Sequence, residues 1–255
     1  MSQFAFGAGN MYVTQLQDAS GNAITNPTPY PLMVLQEGSI DMAGDVKELY
    51  GQNQFPVAAG RAKVKMQIKV RPARIMAGVW NAIYFGQTLS NGIVGINTDS
   101  VGAAIPSTPF TITVTPPSSG TFAADLGVLD WNGTPMTRVA SAPASGQYSV
   151  TVATGAYLFA AADTGKTVYI NYQYSATSTT AKKQTVNNLP MGYAPTFKAD
   201  LAVTYLGKMT YFQFPMCIST KFSIGFKNED FAIPEFNFSA FDPGNGAVMS
   251  WATSE

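Results

Sequence analysis

Ala62-Lys63-Val64-Lys65-Met66-Gln67-Ile68-Lys69-Val70 is the stretch from which the fold can be read. Val64, Met66, Ile68 and Val70 alternate with Lys63, Lys65, Gln67 and Lys69, which is the period of a strand with one face in a core and one in water. Upstream, residues 39–49 alternate less cleanly, with Ile40, Met42 and Val46 set against Asp41, Asp45 and Lys47. The link between the two runs, residues 50–60, contains Gly51, Pro56 and Gly60, which predicts two antiparallel strands joined by a long, mobile loop. Downstream the period changes. Pro72 stands where a first helical turn tolerates it, Ile75, Met76, Val79, Trp80 and Ile83 fall at helical spacing, and Gly86 ends the run.

Around this strand, strand, helix unit the rest of the chain reads as further strands. Residues 11–17 and 30–35 form a pair at one sheet edge, joined by a turn at Ser20-Gly21 and a Pro-rich link. Residues 89–109 turn to Gly, Ser, Asn and Ala with few large side chains and read as a surface connection. Between 111 and 178 the texture becomes short strands (111–115, 122–128, 137–140, 147–152, 157–160 and 167–174) punctuated by Pro and Gly, the pattern of a small β-sandwich. Long strands then return. Residues 197–205 alternate strictly, 208–219 are almost continuously apolar with an edge or bulge expected at Pro215, and 221–226, 234–241 and 247–251 complete the sheet. The fold class is therefore mainly β with one flanking α-helix, an outer domain of residues 1–110 and 181–255 interrupted by an inserted β-sandwich at 111–180.

Composition narrows the function. Only 12% of the 255 residues are charged while 46% are hydrophobic, against roughly a quarter charged in an ordinary soluble protein. No apolar run approaches the roughly 18 residues of a membrane span, and the amino terminus lacks the basic and apolar regions of a signal peptide, so burial between subunits is the expected use of the surplus apolar surface. The net charge is zero, unlike that of a generally basic nucleic-acid binder. With no histidine in the chain the commonest general base and metal ligand are missing, which argues against catalysis and against a bound metal or cofactor. The single cysteine, Cys217, reads as core.

Three groups of residues are candidates for contacts. Arg61, Lys63, Lys65, Lys69, Arg71 and Arg74 follow one another with no acidic residue among them, suited either to passing nucleic acid or to an acidic neighbour; an ordinary solvated strand face, neutralised across the ladder by Asp41 and Asp45, has the same composition. Glu229 and Asp230, with Glu235 beyond them, read as a carboxylate pair, a cation site, the acidic half of a subunit contact or a plain turn, with catalysis the weakest use in the absence of histidine. Trp131, Tyr148, Tyr157, Tyr169 and Tyr172 would make either a carbohydrate platform or sandwich core.

Taken together, the amino-terminal strand pair, the long hairpin, the Lys-rich strand running into Arg71-Pro72 and the apolar carboxy-terminal strands resemble the major tail tube protein of long-tailed bacteriophages. The insert resembles the Ig-like β module of phage structural proteins through Phe122-Ala123-Ala124-Asp125-Leu126-Gly127-Val128, Gly146-Gln147-Tyr148-Ser149-Val150 and Tyr157-Leu158-Phe159-Ala160-Ala161-Ala162-Asp163. The resemblance implies a β-sandwich or half-barrel, hexameric rings stacked around a channel for DNA, and a hairpin loop, Tyr50, Gln52, Asn53, Phe55 and Pro56, that reaches the next ring. It implies as partners further copies of the chain, other phage tail proteins and transient, non-specific contact with phage DNA, but no membrane. The basic face would meet the lumen or a neighbouring subunit, and the protein would be made in the host bacterial cytoplasm and reside in the virion. Head-decoration, connector and tail-terminator proteins are the alternatives within virions, and a carbohydrate-binding surface module is the alternative outside them.

Overall fold

The computed structural model describes residues 4–254. In chain order its first strands are β1 (Asn10–Gln17), β2 (Pro29–Leu32), β3 (Leu35–Tyr50) and β4 (Pro56–Pro72), followed by a single short helix, α1 (Ala77–Trp80), that widens into a π turn (Asn81–Phe85). Next come β5 (Ser90–Asn91), β6 (Ile93–Asn97), β7 (Ala103–Ala104), β8 (Thr111–Thr113), β9 (Thr121–Leu129), β10 (Thr137–Arg138), β11 (Gln147–Thr151), β12 (Ala156–Phe159), β13 (Thr167–Ala176) and β14 (Lys182–Lys183). The chain closes with β15 (Thr196–Tyr205), β16 (Lys208–Ser223), β17 (Glu235–Ala240) and β18 (Ser250–Thr253). The protein is thus mainly β, arranged in several sheets, and no helix among the described residues is long and apolar enough to cross a membrane.

The chain divides into two compact units, an outer one up to Thr88 and from Thr185 onward, and an inner one, Leu89–Gln184. The outer unit is built on one antiparallel sheet in the order β2-β1-β15-β16-β17-β4-β3, with β18 paired to β16. Alternation puts Met11 and Val13, Phe197 and Ala199, Phe214, Phe236 and Phe238, and Ile68 and Val70 on one face, where Val79 and Ile83 of the helical segment cover them. Phe197 and Phe238 meet edge to face at 5.3 Å, and Trp80 lies 5.0 Å from Phe222. The opposite face is polar, as the Lys and Gln positions of β4 require.

The helix is shorter than its periodicity predicts. Pro72 is the last residue of β4, paired with Leu35, rather than the first of a helix, and helical geometry begins only at Ala77. Gly86 ends it as expected, in the left-handed conformation (φ 61°); a Cβ there would lie 2.7 Å from Pro195 Cβ and 2.8 Å from the Ala19 nitrogen. The bulge expected at Pro215 is present: Phe197 pairs with Cys217 but Ala199 with Phe214, so Pro215 and Met216 together face one residue of β15. Residues 208–223 are, however, one continuous strand rather than two.

The inner unit begins at Leu89, earlier than the predicted 111, because residues 89–109 supply strands and not just a connection. β6 pairs with β13 along Ile93–Asn97, and β7 pairs with the start of β13. The sheet β10-β11-β12-β8 and the strands β6, β7 and β9 gathered on β13 share a core containing Val128, Tyr148, Tyr157, Phe159, Val168 and Ile170, which makes this unit a sandwich. Its two ends are held together by β5 and β14, where Ser90 pairs with Lys183 and Asn91 with Lys182.

Candidate assembly surface

The feature that stands apart from the core of the outer unit is the far half of the β3–β4 hairpin. β17 pairs with β4 only from Gln67 to Val70. Beyond Met66 toward the tip, β4 has no neighbour but β3, and the two run on as a ribbon to the pair Tyr50–Pro56, a length of roughly 30 Å at about 3.4 Å per residue. The expected mobile loop at 50–60 is therefore mostly strand. Only residues 51–55 form the turn, so of the residues placed in that loop Gln52, Asn53 and Phe55 lie there, whereas Tyr50 and Pro56 are a strand pair. The Tyr50 hydroxyl donates to the Glu48 carboxylate on the same strand.

The ribbon continues the core face of the sheet with nothing over it. Met66 is buried, but Met42 opposite it and Val64, two residues nearer the tip, are about half exposed, and Val46 is 60% and Phe55 81% exposed. A register jump turns the strand midway: Gly44 faces Val64 and Val46 faces Arg61, leaving Ala62 and Lys63 together opposite Asp45. The bulge moves Arg61 to the face of Val46 and Val64, away from Lys63; accordingly a Cβ on Gly44 would lie 3.3 Å from Arg61 Cδ and 3.4 Å from Val64 Cγ2.

The basic run is thereby sorted into two sets. At the base of the hairpin, Lys69 Nζ lies 3.0 Å from Glu37 and 3.6 Å from Glu235, Arg71 lies 3.2 Å from Glu37, and Lys221 lies 3.0 Å from Glu235. These form an alternating charge ladder across β3, β4, β17 and β16. Hydrogen bonding from Lys69, then Arg71, holds the Glu37 carboxyl below its ordinary range, and Lys221 does the same for Glu235. Arg74 donates to the Met33 sulfur at 3.7 Å and forms no ion pair among the described residues. In the ribbon, Arg61, Lys63 and Lys65 form no ion pair among the described residues. Neither do Asp41 and Asp45, so the neutralisation expected from them comes from Glu37 and Glu235 instead.

The acidic group divides likewise. Glu235 belongs to the ladder at the base. Glu229 and Asp230 are exposed on a turn, closed by the bridge Lys227–Asp230, between the end of β16 and the start of β17. The Asp230 carboxylate accepts the Phe231 N–H at 2.9 Å. Phe226 and Phe231 flank this turn at 79% and 90% exposure, an apolar pair that sequence reading placed in strand pattern or passed over. Ser223 pairs with Glu235 and Phe236 with Val70, so the turn leaves the sheet at the end where β4 finishes, the end opposite the ribbon.

The aromatic residues of the inner unit do not make a platform. Tyr148, Tyr157 and Tyr172 are buried, and Lys166 Nζ covers the Trp131 ring at 3.9 Å from its centre. Their hydroxyls instead bring the three quoted phrases together, since Tyr148 and Tyr157 donate to Asp125 at 2.8 and 3.0 Å. Burial, and the Asp125 carboxylate beside them, push both phenols well above their usual range. Asp163, fully buried, accepts from Ser145, the Gly146 N–H and Lys166 at 2.6, 2.9 and 3.0 Å, and these bonds outweigh burial to hold its carboxyl low.

A hollow of about 480 Å³ in the outer unit lies among Gln17, Tyr193, Thr196, Met216, Ile218 and Phe241. Thr196 donates to Gln17 at 2.8 Å, and the Asp242 carboxylate at the rim caps its own turn through Gly244 and Gly246. No cluster of His, Cys, Asp and Glu among the described residues has the arrangement of a metal site. No protein-family model matches the chain and no curated protein matches it, so the reading of these surfaces rests on their own chemistry and on the resemblance drawn from the sequence.

Proposed function

We propose that this chain is a non-enzymatic structural subunit that assembles with copies of itself into stacked rings, as the tail tube of a long-tailed bacteriophage. The observation that carries the proposal is the ribbon, two strands that run about ten residues past the point where the core ends and leave Met42, Val64 and Val46 uncovered. A two-stranded hairpin is at best marginally stable alone in water, and an uncovered apolar strand face invites association. Low charge and 46% hydrophobic content fit a protein whose surface is largely shared with neighbours.

In this reading the outer sheet is one sector of a β-lined channel, tail-tube-like in its sandwich or half-barrel curvature, its polar face turned to transient contact with DNA. The inner sandwich is an appendage on the ring. Other tail proteins cap the tube, and the finished protein resides in the virion. A carbohydrate-binding role has less support, because three of the five aromatic side chains that would carry it, Tyr148, Tyr157 and Tyr172, are core residues.

Electron microscopy of the purified protein is the direct test, alongside a variant in which residues 44–63 are replaced by a two-residue turn. Rings or tubes from the full chain and none from the shortened one are expected. A full chain that stays monomeric at every attainable concentration would sink the proposal, and single rings that never stack would move it to a connector or terminator.

A further inference from the structure

We infer that the receptor for the ribbon is the 226–231 turn of a second copy. This rests on the assembly reading above and specifies the contact. The ribbon leaves one end of the outer sheet and the turn leaves the other, as the pairings Tyr50–Pro56 and Ser223–Glu235 fix. The two are chemically complementary. Toward its tip the ribbon carries Lys47, Arg61, Lys63 and Lys65 against Asp45 and Glu48, a positive surplus; the turn carries Glu229 and Asp230 against Lys227, a negative one.

Each side also has uncovered apolar surface to bury: Val46, Val64 and Phe55 on the ribbon, Phe226 and Phe231 on the turn. No ion pair among the described residues occupies Arg61, Lys63, Lys65, Glu229 or Asp230, so pairing them across a contact breaks nothing at home. A surface at one end meeting a different surface at the other is heterologous, and it propagates along the strand direction instead of closing a dimer. Opposite charges at the rim set register and speed of encounter while the aromatic pair supplies the buried anchor.

The experiment uses two charge-reversed full-length chains. One carries Glu229→Lys with Asp230→Lys, the other Arg61→Glu with Lys63→Glu, and assembly is followed by sedimentation velocity and microscopy against the unaltered protein. Each reversed chain alone should need about tenfold or more protein to reach half-assembly, equivalent to the loss of one or two good charge contacts. Mixed in equal amounts they should assemble again, because the positive ribbon of the first meets the intact negative turn of the second, and the reversed ribbon of the second meets the reversed turn of the first. Misfolding cannot produce that recovery, and a mixture that stays unassembled overturns the inference. If both reversed chains assemble like the unaltered protein, the turn is not the receptor although the assembly reading stands. If the unaltered protein never assembles, both fall together.

Discussion

The two halves of one hairpin, built from the same pair of strands, have opposite fates. At the base, Ile68 and Val70 are fully buried under the helix and beside Phe236 and Phe238, and Lys69 and Arg71 on the other face are neutralised by Glu37 and Glu235. In the ribbon, Val64 and Val46 occupy equivalent positions with nothing above them, and Lys63 and Lys65 have no acidic partner among the described residues. Periodicity specifies which side chains share a face. Whether that face is covered is a property of what packs on it, and among the described residues nothing packs on Val46 and Val64 as the helix does on Ile68 and Val70.

Hydrogen exchange should show the largest contrast. Amides of β4 from Gln67 to Val70 lie between two neighbours and should exchange only through near-global opening, which for a domain costs about 5–15 kcal/mol. Ribbon amides from 57 to 64 have one neighbouring strand and exposed side chains, so in the free subunit they should open at a cost near zero and exchange orders of magnitude faster. Assembly should slow them sharply. Ribbon amides as slow as those of the base in a dilute monomer would show that the two halves do not differ as described.

Substitution probes the same contrast through side chains. Ile68→Ala removes buried atoms from a packed core and should cost about 2–5 kcal/mol of subunit stability by denaturant unfolding. Val46→Ala should stay within about 0.5 kcal/mol in the free subunit, the range of surface changes, yet weaken assembly. Equal losses for the two would mean that the ribbon is covered within the monomer.

Much of the fold was legible because burial imprints a period. The strands at 11–17, 62–70 and 197–205, the inner strands from 111 onward, the stop at Gly86 and the bulge at Pro215 all follow from local pattern and turn chemistry. What escaped reading depends on pairing across distance. Pro56 and Gly60 look like loop punctuation, yet they stand in an edge ribbon, where neither full burial nor a second neighbour is demanded. Residues 93–97 read as a connection because Gly92 and Gly95 interrupt a short apolar run, whereas their pairing with β13 makes them a strand. Arg61 was placed with Lys63 because alternation alone cannot reveal a bulge. Of the candidate site, the charged residues were found from sequence, but their division into paired and unpaired sets was not, since the partner Glu37 lies more than thirty positions from Lys69 and Arg71. Phe226 and Phe231 carried only their size as a signal.

The smallest effect expected from the hairpin concerns its charges. Glu235 sits between Lys221 at 3.0 Å and Lys69 at 3.6 Å, with about a fifth of its side chain exposed. Such a partly solvated ladder contributes at most about 1 kcal/mol, since screening and side-chain ordering offset most of the attraction. Glu235→Gln should therefore cost no more than about 1 kcal/mol, and Lys65→Gln in the ribbon should cost nothing measurable in the free subunit. The pH dependence separates the two further. Hydrogen bonding to Lys221 lowers the Glu235 carboxyl in the folded chain relative to the unfolded one, so the folded state binds its proton less readily. The resulting stabilisation is complete above the unfolded value of about 4.3 and fades as pH falls through the lower, folded value. Stability of the unaltered protein minus that of Glu235→Gln should thus be constant from neutral pH down to about 5 and shrink below it, whereas the difference for Lys65→Gln should be flat throughout. A difference for Glu235→Gln that does not change on acidification would mean the ladder is not stabilising in solution, and the charges at the base would then be no better matched than those of the ribbon.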